Sequence, residues 1–131
     1  MKTSCSALAT GLLFLFLATS VAPMESGRIT GSVYCDHNKN HQFDKTEKGL
    51  ENIHVQIFVK QCSGPALQTV HTDFEGKFVF EGFGPDTYYI RSDVACVCGG
   101  RMPTTNTCQK VILEEGMTID LPPFGYTEYG Q

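Results

Sequence analysis

The feature that most constrains this chain is a strict alternation of apolar and polar residues, repeated in short runs and never replaced by a helical stripe. Ile29, Gly31 and Val33 face one way while Arg28, Thr30 and Ser32 face the other. Ile53, Val55, Ile57 and Val59 alternate with His54, Gln56, Phe58 and Lys60. Phe78 with Phe80, Tyr88 with Ile90, Val111 with Leu113, and Ile119 with Leu121 continue the pattern. Period two is the signature of strands with one buried face, so these inward sets are the expected core. Turn signals separate the runs: Ser63-Gly64-Pro65, Asp73 to Gly76, Gly82 to Pro85, and Glu114 to Gly116. About seven short strands with no helical layer predict an all-β fold, a single antiparallel β-sandwich. The outward aromatics Phe58, Tyr89 and Tyr126 to Tyr129 would then form the candidate contact surface. The chain from Pro122 onward, rich in Pro, Gly and Tyr, is expected to fray, with 127–131 a flexible tail.

Residues 1–22 stand apart. Lys2, the apolar run Leu12 to Ala18 and the small residues Ser20-Val21-Ala22 have the layout of a secretory signal peptide, with cleavage between Ser20 and Gly27. Such a segment is too short for a membrane span. Its removal takes Cys5 and leaves Cys35, Cys62, Cys96, Cys98 and Cys108, an odd number. A secreted, extracellular location therefore predicts at most two internal disulfides and one thiol available for a disulfide-linked homodimer. Loss of Lys2 shifts the formal net charge from −4 to −5. Nothing supplies the basic field that phosphate-backbone binding needs, which excludes nucleic acid as a partner.

Two connections are longer than a compact sandwich needs, one from Cys35 to about Asn52 and one from Asp93 to about Gln109. Within the first, Asp36, Asn38, Asn40, Gln42, Asp44 and Glu47 occupy positions one, three, five, seven, nine and twelve of a twelve-residue loop. That is the spacing of an EF-hand-type calcium loop, with Gln42 giving its backbone carbonyl. A hard cation takes six to eight oxygens, so short Asp and Asn side chains wrap one side and the longer Glu closes the other. Phe43 is the apolar residue that pins the loop to the core. His41 replaces the glycine of the sixth position, where a positive φ is needed. Lys39 and Lys45 offset part of the carboxylate charge, which points to affinity in the range of extracellular modules, about 10⁻⁴ to 10⁻³ M. A second reading is purely structural: Asp44 and Glu47 have capping-box spacing and Asn38 and Asn40 are ordinary turn formers. A third takes His37 and His41, with Cys35, as a zinc or copper site.

Gly31-x-Val33-Tyr34-x-Asp36-x-Asn38-x-Asn40, Asp44-x-x-Glu47-x-Gly49-Leu50 and Thr72-Asp73-x-x-Gly76-Lys77-Phe78-x-Phe80 follow one another in order. With the Gly84-Pro85-x-x-Tyr88 turn and the Leu113 to Gly125 close, they resemble the calcium-binding B-type domain of serine-aspartate-repeat surface adhesins over residues 28–126. The resemblance implies a prealbumin-like or immunoglobulin-like sandwich with structural calcium. Those adhesins end in a wall-anchoring signal, and the absence of a hydrophobic tail after Gly125 sets the expectation of a released protein. A weaker resemblance, carried by Gly31-x-x-x-Cys35, Thr72-Asp73-x-x-Gly76-x-Phe78 and the late cysteines, is to secreted transthyretin-like proteins, which implies a carrier of a small or lipidic ligand.

For the cysteines, the sequence predicts a bridge from Cys96 or Cys98 to Cys108. Cys35 and Cys62 would pair with each other or with the remaining loop cysteine. No nucleophile elbow, His-Glu-x-x-His or phosphate-cradling loop is present, so no enzymatic activity is expected. The expected function is binding: an adhesion or matrix module whose partner is an extracellular protein or matrix component. A secreted effector or toxin would share these features.

Overall fold

The structure, a computed structural model, describes residues 25–93 and 102–127. Among the described residues nine strands form two sheets: β1 (Gly27–Cys35), β2 (His54–Val59), β3 (Gln68–His71), β4 (Lys77–Phe83), β5 (Asp86–Asp93), β6 (Met102–Pro103), β7 (Cys108–Leu113), β8 (Thr118–Asp120) and β9 (Phe124–Thr127). The alternating runs correspond to β1, β2, β4, β5, β7 and β8; β3, β6 and β9 carry no run named from the sequence, and β6, of two residues, is too short to show alternation. One sheet has the order β4-β1-β9-β6, with β8 also on β1, and the other has the order β3-β2-β5-β7.

The two inner faces carry the alternating sets. Ile29, Val33, Val55, Ile57, Phe80 and Ile90 are fully enclosed, with Phe78, Val111, Leu113 and Leu121 almost so. Ile119 is partly buried against them. Val59 departs from its set and is exposed at the end of β2.

β1 organises the first sheet. One of its edges pairs antiparallel with β4 over residues 27–32. The other is covered in series by β8 and then β9, both parallel to it, so the sandwich is antiparallel except at these two pairings. Pro122-Pro123 separates β8 from β9, because proline cannot donate to the ladder.

Expectations about the tail, Phe58 and Cys108 are corrected here. The segment expected to fray is an inner strand: Phe124 to Thr127 are all buried, and β9 lies between β1 and β6. Tyr126 is 2% exposed, its hydroxyl against Ser92 Oγ. Gly125 permits this, since a Cβ there would fall 2.8 Å from the Tyr34 hydroxyl and 2.6 Å from Thr104 Oγ1. Of the expected tail, residues 128–131 lie outside the described residues.

Phe58 is the second correction. Its place in the alternation faces it outward, yet it is 1% exposed. The chain after β2 doubles back at Lys60, whose φ is 74°, and crosses the outer face of the second sheet. Register sets Gln56, Arg91 and Cys108 in one row across β2, β5 and β7. Arg91 donates to the Cys62 carbonyl at 3.1 Å and to Gln56 Oε1 at 2.7 Å, with its guanidinium 5.1 Å from the Phe58 ring centre. The Cys62–Cys108 disulfide closes this cover. Cys108 therefore pairs with Cys62 and not within its own loop, because the row brings Cys108 beneath the returning segment. Cys35 is also disulfide-bonded. Cys96 and Cys98 lie outside the described residues, and with them the expectation of a disulfide-linked dimer.

Candidate metal centre

The acidic loop leaves β1 at Cys35 and returns beside the same strand. Cys35 donates its N–H to the Lys48 carbonyl at 2.9 Å, Leu50 donates to the Val33 carbonyl at 2.8 Å, and Tyr34 bridges Gly49. These bonds continue the β1 edge where β4 stops, so both ends of the excursion are tied to one strand.

Glycine makes the closure possible. At Gly49 a Cβ would fall 1.9 Å from the Glu75 carbonyl oxygen, and at Gly76, with φ of 83°, 2.7 Å from the Gly49 Cα. The Asp73 to Gly76 turn is thereby pressed onto the loop exit. Asp73 shapes that turn by accepting from the Glu75 N–H at 2.8 Å and the Lys77 N–H at 2.9 Å. The Lys77 N–H is the main reason its carboxyl is held below the usual value of 3.8. Thr72, buried, donates to the Leu50 carbonyl at 2.5 Å and accepts from the Ile53 N–H at 2.9 Å. Gly76 was legible as part of a turn signal, and Thr72 and Gly49 as matching positions of the resemblance; their role as the clamp of the loop is seen in the structure.

Inside the loop the side chains turn toward the backbone. Asp36 is fully buried and accepts from the N–H groups of Asn40 at 3.2 Å and His41 at 3.0 Å. Asn38 Oδ1 accepts from the Asn40 N–H, and Asn40 Oδ1 from the Gln42 N–H. Both amide groups donate to Asp44 Oδ2, at 3.0 and 2.8 Å. Asp36, Asn38, Asn40 and Asp44 thus join one web. His41 takes the left-handed backbone required at the sixth position, with φ of 66°, and Lys39 is similar at 58°.

Glu47 carries features of both sequence readings. Its Oε1 accepts from the Asp44 N–H at 3.0 Å, which is the return half of a capping box. Its Oε2 is buried with no hydrogen-bond partner. Phe43 stacks on Tyr34, ring centres 4.7 Å apart and 12° from coplanar. Burial, then the charges of Asp36, Glu47 and Asp44, push the Tyr34 phenol up to about 12.

Among the described residues no group of three or more His, Cys, Asp and Glu side chains forms a ready metal cluster. The zinc or copper reading loses its thiol, since Cys35 is in a disulfide and His37 and His41 are exposed. The donor set suits a hard cation better. All its side-chain donors are oxygen-bearing, three are carboxylates, and an orphaned buried carboxylate oxygen is an acceptor whose desolvation nothing offsets.

With this geometry in place, the likeness to known proteins becomes specific. A family model described as the SdrD B-like domain matches residues 27–110. The chain belongs to that family. Serine-aspartate repeat-containing protein D of Staphylococcus aureus strain Newman is 40% identical over 58 residues, covering 44% of this chain and 4% of that protein. Serine-aspartate repeat-containing protein C of strain MRSA252 is 34% identical over 73 residues, covering 56% of this chain and 8% of that protein. The SdrD B-like chain thus spans a small fraction of these relatives' length. In fold it is similar to GBS52, the minor pilin of Streptococcus agalactiae, with a TM-score of 0.58 and 11% identity over 82% of this chain and 48% of the pilin.

Proposed function

We propose that the chain is a secreted, calcium-stabilised β-sandwich module that acts by binding an extracellular protein or matrix component, with calcium in a structural role. The observation that carries this reading is the acidic loop, with its buried Asp36 carboxylate and the unpartnered Glu47 Oε2. Asp36, Asn38, Asn40, Asp44 and Glu47, with the Gln42 backbone carbonyl, would hold the ion. Bound there, calcium would offset two of the three carboxylate charges and tie the loop to β1. Membership of the SdrD B-like family and the pilin-like fold support an adhesion-type role. The signal-peptide layout of residues 1–22 supports export. Among the described residues no helix is long and apolar enough to cross a membrane.

A carrier role calls for an enclosed apolar cavity. The groove of about 610 Å³ on the outer face of the first sheet is open and bordered by Arg28, Lys77, Asp73 and Asp120, a lining suited to polar contact. Thermal unfolding in calcium against chelator tests the central claim: the midpoint should rise with calcium in the native chain and stay put in Asp36→Asn. An unchanged native midpoint removes calcium from the reading.

A further inference from the structure

Away from the acidic loop, β2 and β3 set two histidines face to face. His54 on β2 is the register partner of His71 on β3. The Thr72 N–H donates to the Ile53 carbonyl at 3.0 Å, closing the ladder beside this pair. Side chains directly opposite one another on one face of an antiparallel pair stand close together. The two histidine ring centres are 4.3 Å apart at an interplanar angle of 75°. Both residues are exposed, and β3 is the edge strand of its sheet, so solvent reaches the rings. The neighbouring outward pair, Gln56 with Thr69, carries no ionisable group. His71 borders the open groove that Asp73 also lines.

We propose that His54 and His71 form a two-imidazole site for a borderline divalent transition-metal ion, Zn²⁺ or Cu²⁺, with water completing the coordination. Neutral imidazole is a preferred ligand for these ions, whereas calcium takes oxygen, so the domain would carry two sites of different chemical class. The backbone register already places the two rings together, so binding requires only rotation of exposed rings and no ordering of a loop. A metal held there ties the edge strand β3 to β2 on the outer face of the sheet.

The test titrates the metal-free chain with Zn²⁺ and follows the histidine ring signals by NMR, with Cu²⁺ visible absorption as a second readout. The His54 and His71 signals should shift together to saturation while those of His37 and His41 stay still. His54→Asn or His71→Asn alone should abolish the response, with far-UV circular dichroism showing that each variant is folded. The His37→Asn/His41→Asn double variant should respond as the native chain does, and excess calcium should not compete. A native chain without a saturable shift, or a response that survives in His54→Asn, overturns the site. A response lost in the His37/His41 variant instead would place the metal at the acidic loop and also overturn it.

Discussion

Two excursions from the strands are fixed by opposite means. The segment after β2 is closed by a covalent bond, Cys62 to Cys108, over a cushion of Phe58 and Arg91. The acidic loop after β1 is closed by hydrogen bonds from its own Asp and Asn side chains and by a clamp of Thr72, Gly49 and Gly76. The first buries an aromatic ring and needs no ligand. The second buries carboxylate oxygens, which is costly unless a partner offsets it. The comparison teaches that one small sandwich can cover one loop with a covalent bond and fill another with polar side chains, and the two are expected to act independently although Cys35, at the root of the acidic loop, is itself in a disulfide.

Breaking the covalent side should have the largest effect. The Cys62→Ser/Cys108→Ser variant should lose about 4 kcal/mol of stability, the chain-entropy value for a loop of that length. Denaturant unfolding with calcium present and absent would show the same loss in both. Next comes the ionic side: chelation should cost about 2.7 kcal/mol relative to calcium at a hundred times its dissociation constant. In the cysteine variant the chelator effect should be unchanged, and a coupling well beyond about 0.5 kcal/mol in the double-perturbation cycle would break the claim of independence. Thr72→Val leaves the Leu50 carbonyl and Ile53 N–H without their buried partner and should cost about 1–3 kcal/mol. It should also weaken calcium stabilisation if the clamp and the ion act on one loop, which calorimetry would measure. The smallest effect is on acid stability. Because the Asp73 carboxyl is held below 3.8 in the folded state, its contribution is present above that pH and is lost as pH falls through the lower folded value. Asp73→Asn should flatten the acid limb of an unfolding midpoint against pH curve.

Much of the fold was legible because its signals are local. Alternation in Ile53 to Ile57 or Phe78 to Phe80 is written within one strand, and each of those side chains is buried. The spacing of Asp36, Asn38, Asn40 and Asp44 was equally local, and these four side chains meet in one web. What escaped depends on distant segments. Phe58 reads as outward because nothing near it reveals that the chain will double back over the sheet. Cys108 reads as a partner for Cys96 or Cys98 because sequence proximity does not show the row formed with Arg91 and Gln56. Phe124 to Thr127 reads as a tail because its burial depends on β1, at the other end of the domain. The His54 and His71 pair is invisible until register is known.

That last dependence sets an order of assembly. The β1 edge that pairs with β8 and β9 is completed by residues some ninety positions later in the chain. Until residues 118–127 are in place, the first strand presents an unpaired edge to any other chain nearby. Contacts of such separation slow folding, because a long loop must close before they contribute. A chain cut short before Phe124 would lack the strand that lies between β1 and β6, and leave that stretch of the β1 edge open.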